Sequence, residues 1–231
     1  MAANSHEQLI RGLAADLQPV RRLPPPLFRA LAWLAVLTAL TIGLAAFADL
    51  DAVWQRISAA PDLWLAVIGS TLTAILAAIA AFELSMPDAP RAWAVLPLPA
   101  ALLWVGASGF GCLRVWLAPQ SHVAVMGEAR DCLAFIVFLS VPLSALLLTM
   151  LRRAYPLYPG LTAAIGGLAV AAAAATLLNF FHPYDAAATD LVVHAVAVAL
   201  VIGANRALGG RIFAVPAFGG IDVTANGVGP N

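Results

Sequence analysis

Long runs of apolar residues alternate with short polar connections along almost the whole chain. Each run is close to the roughly 20 residues that an α-helix needs to cross the hydrocarbon core of a bilayer. A helix also satisfies its own backbone hydrogen bonds, as lipid requires. We therefore predict an all-α, polytopic membrane protein with six transmembrane helices at Ala30–Leu50, Leu63–Leu84, Ala92–Phe110, Cys132–Leu151, Gly160–Phe180 and Leu191–Leu208.

The segment before the first run has a different pattern. Residues 7–17 repeat apolar side chains with helical spacing, which predicts a short amphipathic helix. Its apolar face is formed by Leu9, Ile10, Leu13 and Leu17. Three consecutive prolines at residues 24–26 then favour a stiff, extended spacer. The pattern leaves two roles open for this helix: it lies flat on anionic lipid, or it binds a groove on a soluble partner.

The composition supports a lipid-solvated core. Of the 231 residues, 62% are apolar and only 10% are charged, against about 25% charged in an average soluble domain. A soluble protein of this size would leave too much apolar surface in water. The formal net charge is zero, so we predict no direct contact with nucleic acid.

The arginines predict the orientation, because loops on the cytoplasmic side of a membrane carry an excess of basic residues. All twelve basic residues are arginines. One side of the predicted spans holds Arg11, Arg21, Arg22, Arg29, Arg91, Arg152, Arg153, Arg206 and Arg211. The other side holds Arg56, Arg114 and Arg130. We predict both termini in the cytoplasm: a cytoplasmic binding segment and spacer at 1–29, the six-helix domain at 30–208, and a disordered tail at 209–231. The richness in Ala and Arg suggests a GC-rich bacterial genome, which makes the expected location the bacterial inner membrane.

The only two cysteines are predicted to lie on the outer face. Cys112 ends the third span and Cys132 begins the fourth, and the oxidising periplasm permits a disulfide between them. Thiol and imidazole are also ligands of soft or borderline metals, which makes Cys132 and His182 weak candidates for holding a metal ion. No spacing typical of a metal site is present. The alternative is that the cysteines are small buried apolar residues and the outer histidine is solvated.

Two further functions are compatible with six spans. Gly106–Gly109 reads GASG, and Ser108 together with His194 in the last span resembles the serine and histidine of rhomboid intramembrane proteases. The other motifs of that family are absent. A small transporter is the second alternative, but no span contains the mid-membrane charge pair that ion pathways use. We therefore expect the protein not to be an enzyme.

Several segments together resemble the NrsF family of membrane anti-sigma factors, and the resemblance extends to about Arg211. They are Leu9–Leu23, Cys132–Pro142, Met150–Pro156, the His182-Pro183-x-Asp185 turn and His194. The resemblance implies a protein that holds an extracytoplasmic-function sigma factor at the inner membrane through its N-terminal segment. It also implies release of that sigma factor on an outer-face stress, such as a heavy metal or an oxidant.

The resemblance also implies roles for individual residues. The sigma-contacting positions would be Leu9, Ile10, Leu13, Leu17, Arg21 and Arg22. Cys132 would be the sensor thiol, but the second thiol of the family pattern is replaced here by His182, and the other cysteine is Cys112. Three possibilities follow: Cys112 is the partner of Cys132, Cys132 and His182 share a metal ion, or sensing uses no pair. The sequence does not identify the sigma factor, the inducing signal, the redox state of the cysteines or the oligomeric state.

Overall fold

A computed structural model describes residues 2–15, 22–59, 61–117, 126–154, 156–181 and 188–213. These residues are helical apart from the connections. The α-helices are α1 (Ala2–Ala15), α2 (Pro26–Ala45), α3 (Leu50–Ala59), α4 (Pro61–Leu84), α5 (Leu98–Leu117), α6 (Met126–Arg152), α7 (Pro159–Leu178) and α8 (Ala188–Ile212), and a 3-10 helix spans Arg91–Val95.

The all-α class is confirmed for the described residues, and so is the presence of six long apolar helices that could cross a membrane. Six segments of the described chain, containing α2 and α4–α8, are long and apolar enough to cross a bilayer. The first of them begins at Pro26, four residues earlier than predicted. Proline is well accepted in the first turn of a helix, because the N–H that it lacks would have no partner there. The orientation of the helices in the membrane stays a prediction.

Two features depart from the predicted pattern. The third span, predicted from Ala92 onward, is divided into the 3-10 helix and α5. Proline at positions 97 and 99 explains the break, since proline and the residue before it disfavour continued helix. The short helix α3, between α2 and α4, is not predicted by the apolar runs. Its Trp54 packs edge-to-face on Trp64 of α4, with the ring centroids 6.0 Å apart.

Helix α7 lies at the centre of the bundle and α2 at its edge. In the most apolar window of each helix, 72% of the α7 residues are buried, but only 17% of those in α2. α7 packs against α4, α6 and α8, whereas the main contacts of α2 are with α4 and α6. The buried alanines of α7, at 171–175, let neighbouring helix backbones approach closely.

A close approach of α7 to α8 depends on Gly167. A Cβ atom on Gly167 would lie 2.9 Å from the Cα of Ile202 and 3.0 Å from the Cβ of Asn205. These neighbours are backbone or nearly so, and they are unable to rotate away. Gly203 on α8 offers a matched contrast, because nothing lies within 4 Å of the position of its Cβ.

We predict that Gly167→Ala destabilises the bundle and that Gly203→Ala does not. The first substitution forces α7 and α8 apart, at about 1–3 kcal/mol for overpacking. The second adds a methyl group in open space and is neutral or slightly stabilising, by up to about 1 kcal/mol, because alanine favours helix over glycine. Unfolding of both variants in the same detergent tests this. An equal change in the two variants would contradict the close packing of α7 on α8.

Candidate functional site

The N-terminal helix α1 presents exposed side chains. Ile10 is 59% exposed, so its side chain is accessible to a partner surface. On another side of α1, the Arg11 guanidinium lies 3.5 Å from the Glu7 carboxylate, and both side chains are exposed. Such a pair contributes only about 0.3–0.5 kcal/mol to the stability of a helix. A helix as short as α1 is therefore stabilised mainly by contact with another surface. Leu9 and Leu13 lie within α1.

The remaining predicted contact residues fall at the end of this segment. Leu17 and Arg21 lie outside the described residues. Arg22 is exposed and begins a non-helical stretch that leads to α2. In that stretch Pro25 has φ −51° and ψ 145°, close to polyproline II geometry. The described part of the spacer is therefore extended where it enters α2.

Arg29, which the sequence analysis counted among the basic residues outside the spans, is buried in the first turn of α2. It is only 6% exposed. Its guanidinium donates hydrogen bonds to the Ser85 hydroxyl at 3.2 Å and to the Met150 carbonyl. The same group lies 5.1 Å from the centre of the Phe82 ring. One side chain of α2 thus contacts both α4 and α6 where these helices end.

The position of Arg29 has a physical cause. The last carbonyls of a helix lack partners within the helix, and this end of the helix dipole is negative. Met150 belongs to the last turn of α6, and Ser85 directly follows α4. A guanidinium supplies five N–H donors in a fixed plane, which suits acceptors presented by two helix ends. The sequence gives one signal of this burial: Arg29 directly precedes the first apolar run and has an apolar residue on each side, Phe28 and Ala30.

Trp33 extends this attachment by one turn. It is fully buried, and its indole Nε1 donates a long hydrogen bond of 3.4 Å to the Leu143 carbonyl of α6. Residues four apart share one face of a helix, so Arg29 and Trp33 hold the same face of α2 against the bundle. We define these two residues as the α2 anchor. The described chain leading back from the anchor is the extended spacer and, beyond residues 16–21, α1.

The predicted sensor residues belong to the other end of the bundle. Cys112 lies in the last turns of α5 and Cys132 lies in the second turn of α6. Because residues 118–125 join these helix ends directly, both cysteines lie towards the end opposite the α2 anchor. Their side-chain positions and the whole of His182 are outside the described residues, so the predicted pairing stays a prediction. In the described part of the chain, no group of three or more potential metal ligands comes together.

Comparison with known proteins identifies the family of this chain. A family model described as NrsF, negative regulator of sigma F, matches residues 13–214. No curated protein and no solved structure matches the chain. The matched family is one of anti-sigma regulators and not of enzymes, which confirms the expectation of a non-enzyme. The protease alternative, with Ser108 in α5 and His194 in α8, is therefore not supported.

We predict that Arg29→Ala lowers the free energy of unfolding in detergent by about 2–4 kcal/mol. The change removes two hydrogen bonds from a charged donor and a cation–π contact. Arg22→Ala is the matched control, because Arg22 is exposed, and we expect it to change stability by less than about 0.5 kcal/mol.

A double-mutant cycle isolates the contact between Arg29 and Ser85. If the hydrogen bond is present, Arg29→Ala combined with Ser85→Ala costs less than the sum of the two single changes, by about 1 kcal/mol or more. Strict additivity of the two changes would contradict the contact.

Proposed function

We infer the role of this chain from its family: it belongs to the NrsF family, the negative regulators of sigma F. A sigma factor is therefore its partner. We propose that this protein is an anti-sigma factor of the bacterial inner membrane that sequesters an extracytoplasmic-function sigma factor. The proposed contact is the N-terminal segment on the cytoplasmic side, and the six-helix bundle is its membrane anchor.

The exposed α1 helix is the observation that carries this proposal. A helix of 14 residues is marginally stable alone in water, so α1 gains stability when an apolar groove covers it. Such binding of an amphipathic helix in a groove uses apolar residues at three- and four-residue spacing. Leu9, Ile10 and Leu13 have that spacing, and Leu17 continues it. The family match begins at residue 13, so it includes Leu13, Leu17, Arg21 and Arg22.

Release of the sigma factor needs coupling between the two ends of the bundle. We propose that an outer-face stress signal, a heavy metal or an oxidant, acts at Cys112 and Cys132 or at Cys132 and His182. Linking the ends of α5 and α6 would favour one of two packings of the bundle. The α2 anchor contacts α6 at its opposite end, so a shift of α6 would reach the N-terminal segment through Arg29 and Trp33.

We predict that Leu9→Asp with Leu13→Asp weakens binding of the full-length protein to its sigma factor by at least about 100-fold. Burial of two leucine side chains contributes about 3–6 kcal/mol, and each 1.4 kcal/mol is a factor of ten in affinity. Binding of the detergent-solubilised protein to the purified sigma factor, by surface plasmon resonance, measures the change.

A charge-matched control separates the apolar face from the helix as a whole. Gln8→Asp with Ala15→Asp adds the same charge to α1, but by helical periodicity on the opposite face. We expect this variant to bind within about threefold of the parent protein. Equal weakening by both variants would point to loss of helix rather than loss of a contact face. Undiminished binding by the leucine variant would place the contact elsewhere.

We also predict that Cys112→Ser with Cys132→Ser abolishes induction by the stress while leaving sequestration intact. Serine preserves size but forms no disulfide and binds soft metals poorly. A reporter under sigma-factor control, with and without the inducing metal or oxidant, measures both properties in cells. The two single variants distinguish the alternatives. Both abolish induction if Cys112 and Cys132 form the sensor, whereas only Cys132→Ser abolishes it if Cys132 and His182 hold a metal ion. Normal induction in the double variant would rule out a thiol sensor.

A further inference from the structure

A cavity lies between α2 and the rest of the bundle, away from the α2 anchor. Its volume is about 390 Å³, within the range of about 300–1,000 Å³ that is usual for ligand pockets. Leu37 and Thr38 line it from α2, Val67 and Thr71 from α4, and Leu177 from α7. Val53 of α3 lines it as well. The cavity therefore lies in the half of the bundle that faces α3.

The hydroxyl groups on the cavity wall offer no hydrogen to a ligand. Thr38 donates to the Leu34 carbonyl at 2.9 Å, Thr41 to Leu37 at 2.9 Å, and Thr71 to Val67 at 2.7 Å.

The fourth hydroxyl, on Thr176, lies within hydrogen-bonding distance of the Ala172 carbonyl and of Ser70. A hydroxyl has a single hydrogen, and each of these four has an acceptor for it on the protein itself. Asn179, the other polar residue on the wall, donates to the Ala175 carbonyl at 2.9 Å, and the remaining lining residues are apolar. A polar ligand would lose its water and regain few hydrogen bonds, so the wall favours a hydrocarbon ligand.

The position of the cavity beside the membrane indicates the source of the hydrocarbon ligand. The cavity is bounded by the helices that cross the membrane, α2, α4 and α7, and Thr38 on its wall is exposed. An apolar cavity of even about 150 Å³ stays dry and takes up an apolar molecule. Beside a membrane-spanning helix, that molecule is supplied by the bilayer. We propose that this cavity is a binding site for one acyl chain of a membrane lipid, which enters beside Thr38.

Occupancy of this site would affect the position of α2. One end of α2 is held by Arg29 and Trp33, and in its far half the cavity replaces part of the packing against α4 and α7. An acyl chain fills that gap and supports α2, whereas an empty site lets α2 approach the bundle. The effect on the sigma factor rests on the proposed function, because α2 follows the proposed contact segment. The lipid site itself does not rest on it.

Photo-labelling in vesicles tests the site directly. The full-length protein is reconstituted in phosphatidylethanolamine and phosphatidylglycerol that carries a diazirine on one acyl chain, and labelled positions are found by mass spectrometry. We expect label at Ala173 and Leu177, which line the cavity but are buried from the surface. Val170 and Ala171, buried on the same helix but not on the cavity wall, are the negative controls. The exposed Leu102 and Phe138 report ordinary contact with lipid.

A pair of matched variants then tests the entry point. Thr38→Trp fills the cavity mouth, and we expect it to reduce label at Leu177 at least fivefold without changing label at Leu102. Thr149→Trp makes the same change at an exposed threonine on α6 that also donates to its own helix, and we expect no effect at Leu177.

Three results would overturn the proposal. The first is label at Leu177 no higher than at Val170 in a sample where Leu102 is labelled. The second is label at Leu177 that Thr38→Trp does not reduce. The third is a purified protein whose cavity holds a co-purified apolar compound other than a lipid. Each of these results concerns the lipid site alone, so binding to the sigma factor distinguishes failure of this proposal from failure of the proposed function.

Discussion

The contact of Arg29 with the ends of α4 and α6 joins the N-terminal segment to the membrane bundle. A charged group inside an apolar helix is costly unless its hydrogen bonds are made. Here the unpaired carbonyl of one helix end and a hydroxyl beside another supply acceptors, and the Phe82 ring covers one face of the guanidinium. The charge and the helix ends stabilise each other. Any movement of these ends relative to one another therefore acts on the first turn of α2.

The contact of Arg29 with α4 and α6 matters because the bundle is packed unevenly. α7 is surrounded by α4, α6 and α8 and is built of small residues that fit closely, as Gly167 illustrates. α2 packs mainly on two helices, and a cavity lies along its far half. A closely packed centre resists gradual deformation, whereas an edge helix held mainly at one end can change its tilt. The helix that connects to the proposed sigma-binding segment is thus a peripheral helix.

The sequence predicted the spans well because the thickness of the bilayer fixes the length of an apolar helix. Their ends shifted by a few residues where local chemistry decides, as at Pro26, which starts α2. α3 was not predicted, because ten residues of mixed polarity are too few to show a clear helical period. Arg29 was counted as a surface charge because its partners, Ser85 and Met150, are 56 and 121 residues away along the chain. No local pattern indicates a contact at that separation.

The candidate contact site was predictable only in part, because its helix is encoded in local spacing whereas its partner is not. The three- and four-residue spacing of Leu9, Ile10 and Leu13 indicates a helix, and α1 is helical through these positions. The partner surface that would cover them is not encoded in this chain, so periodicity alone left a lipid surface and a protein groove as equal alternatives. Family membership, not the pattern, supplies the sigma factor.

Hydrogen–deuterium exchange of the full-length protein, with and without its purified sigma factor, tests the central claim most directly. A marginal helix exchanges its amide hydrogens quickly unless a partner holds it closed. The account predicts that the sigma factor slows exchange strongly in α1, while exchange in α7 is unchanged. Unchanged exchange in α1, together with new protection in the connections after α4 or α6, would contradict it.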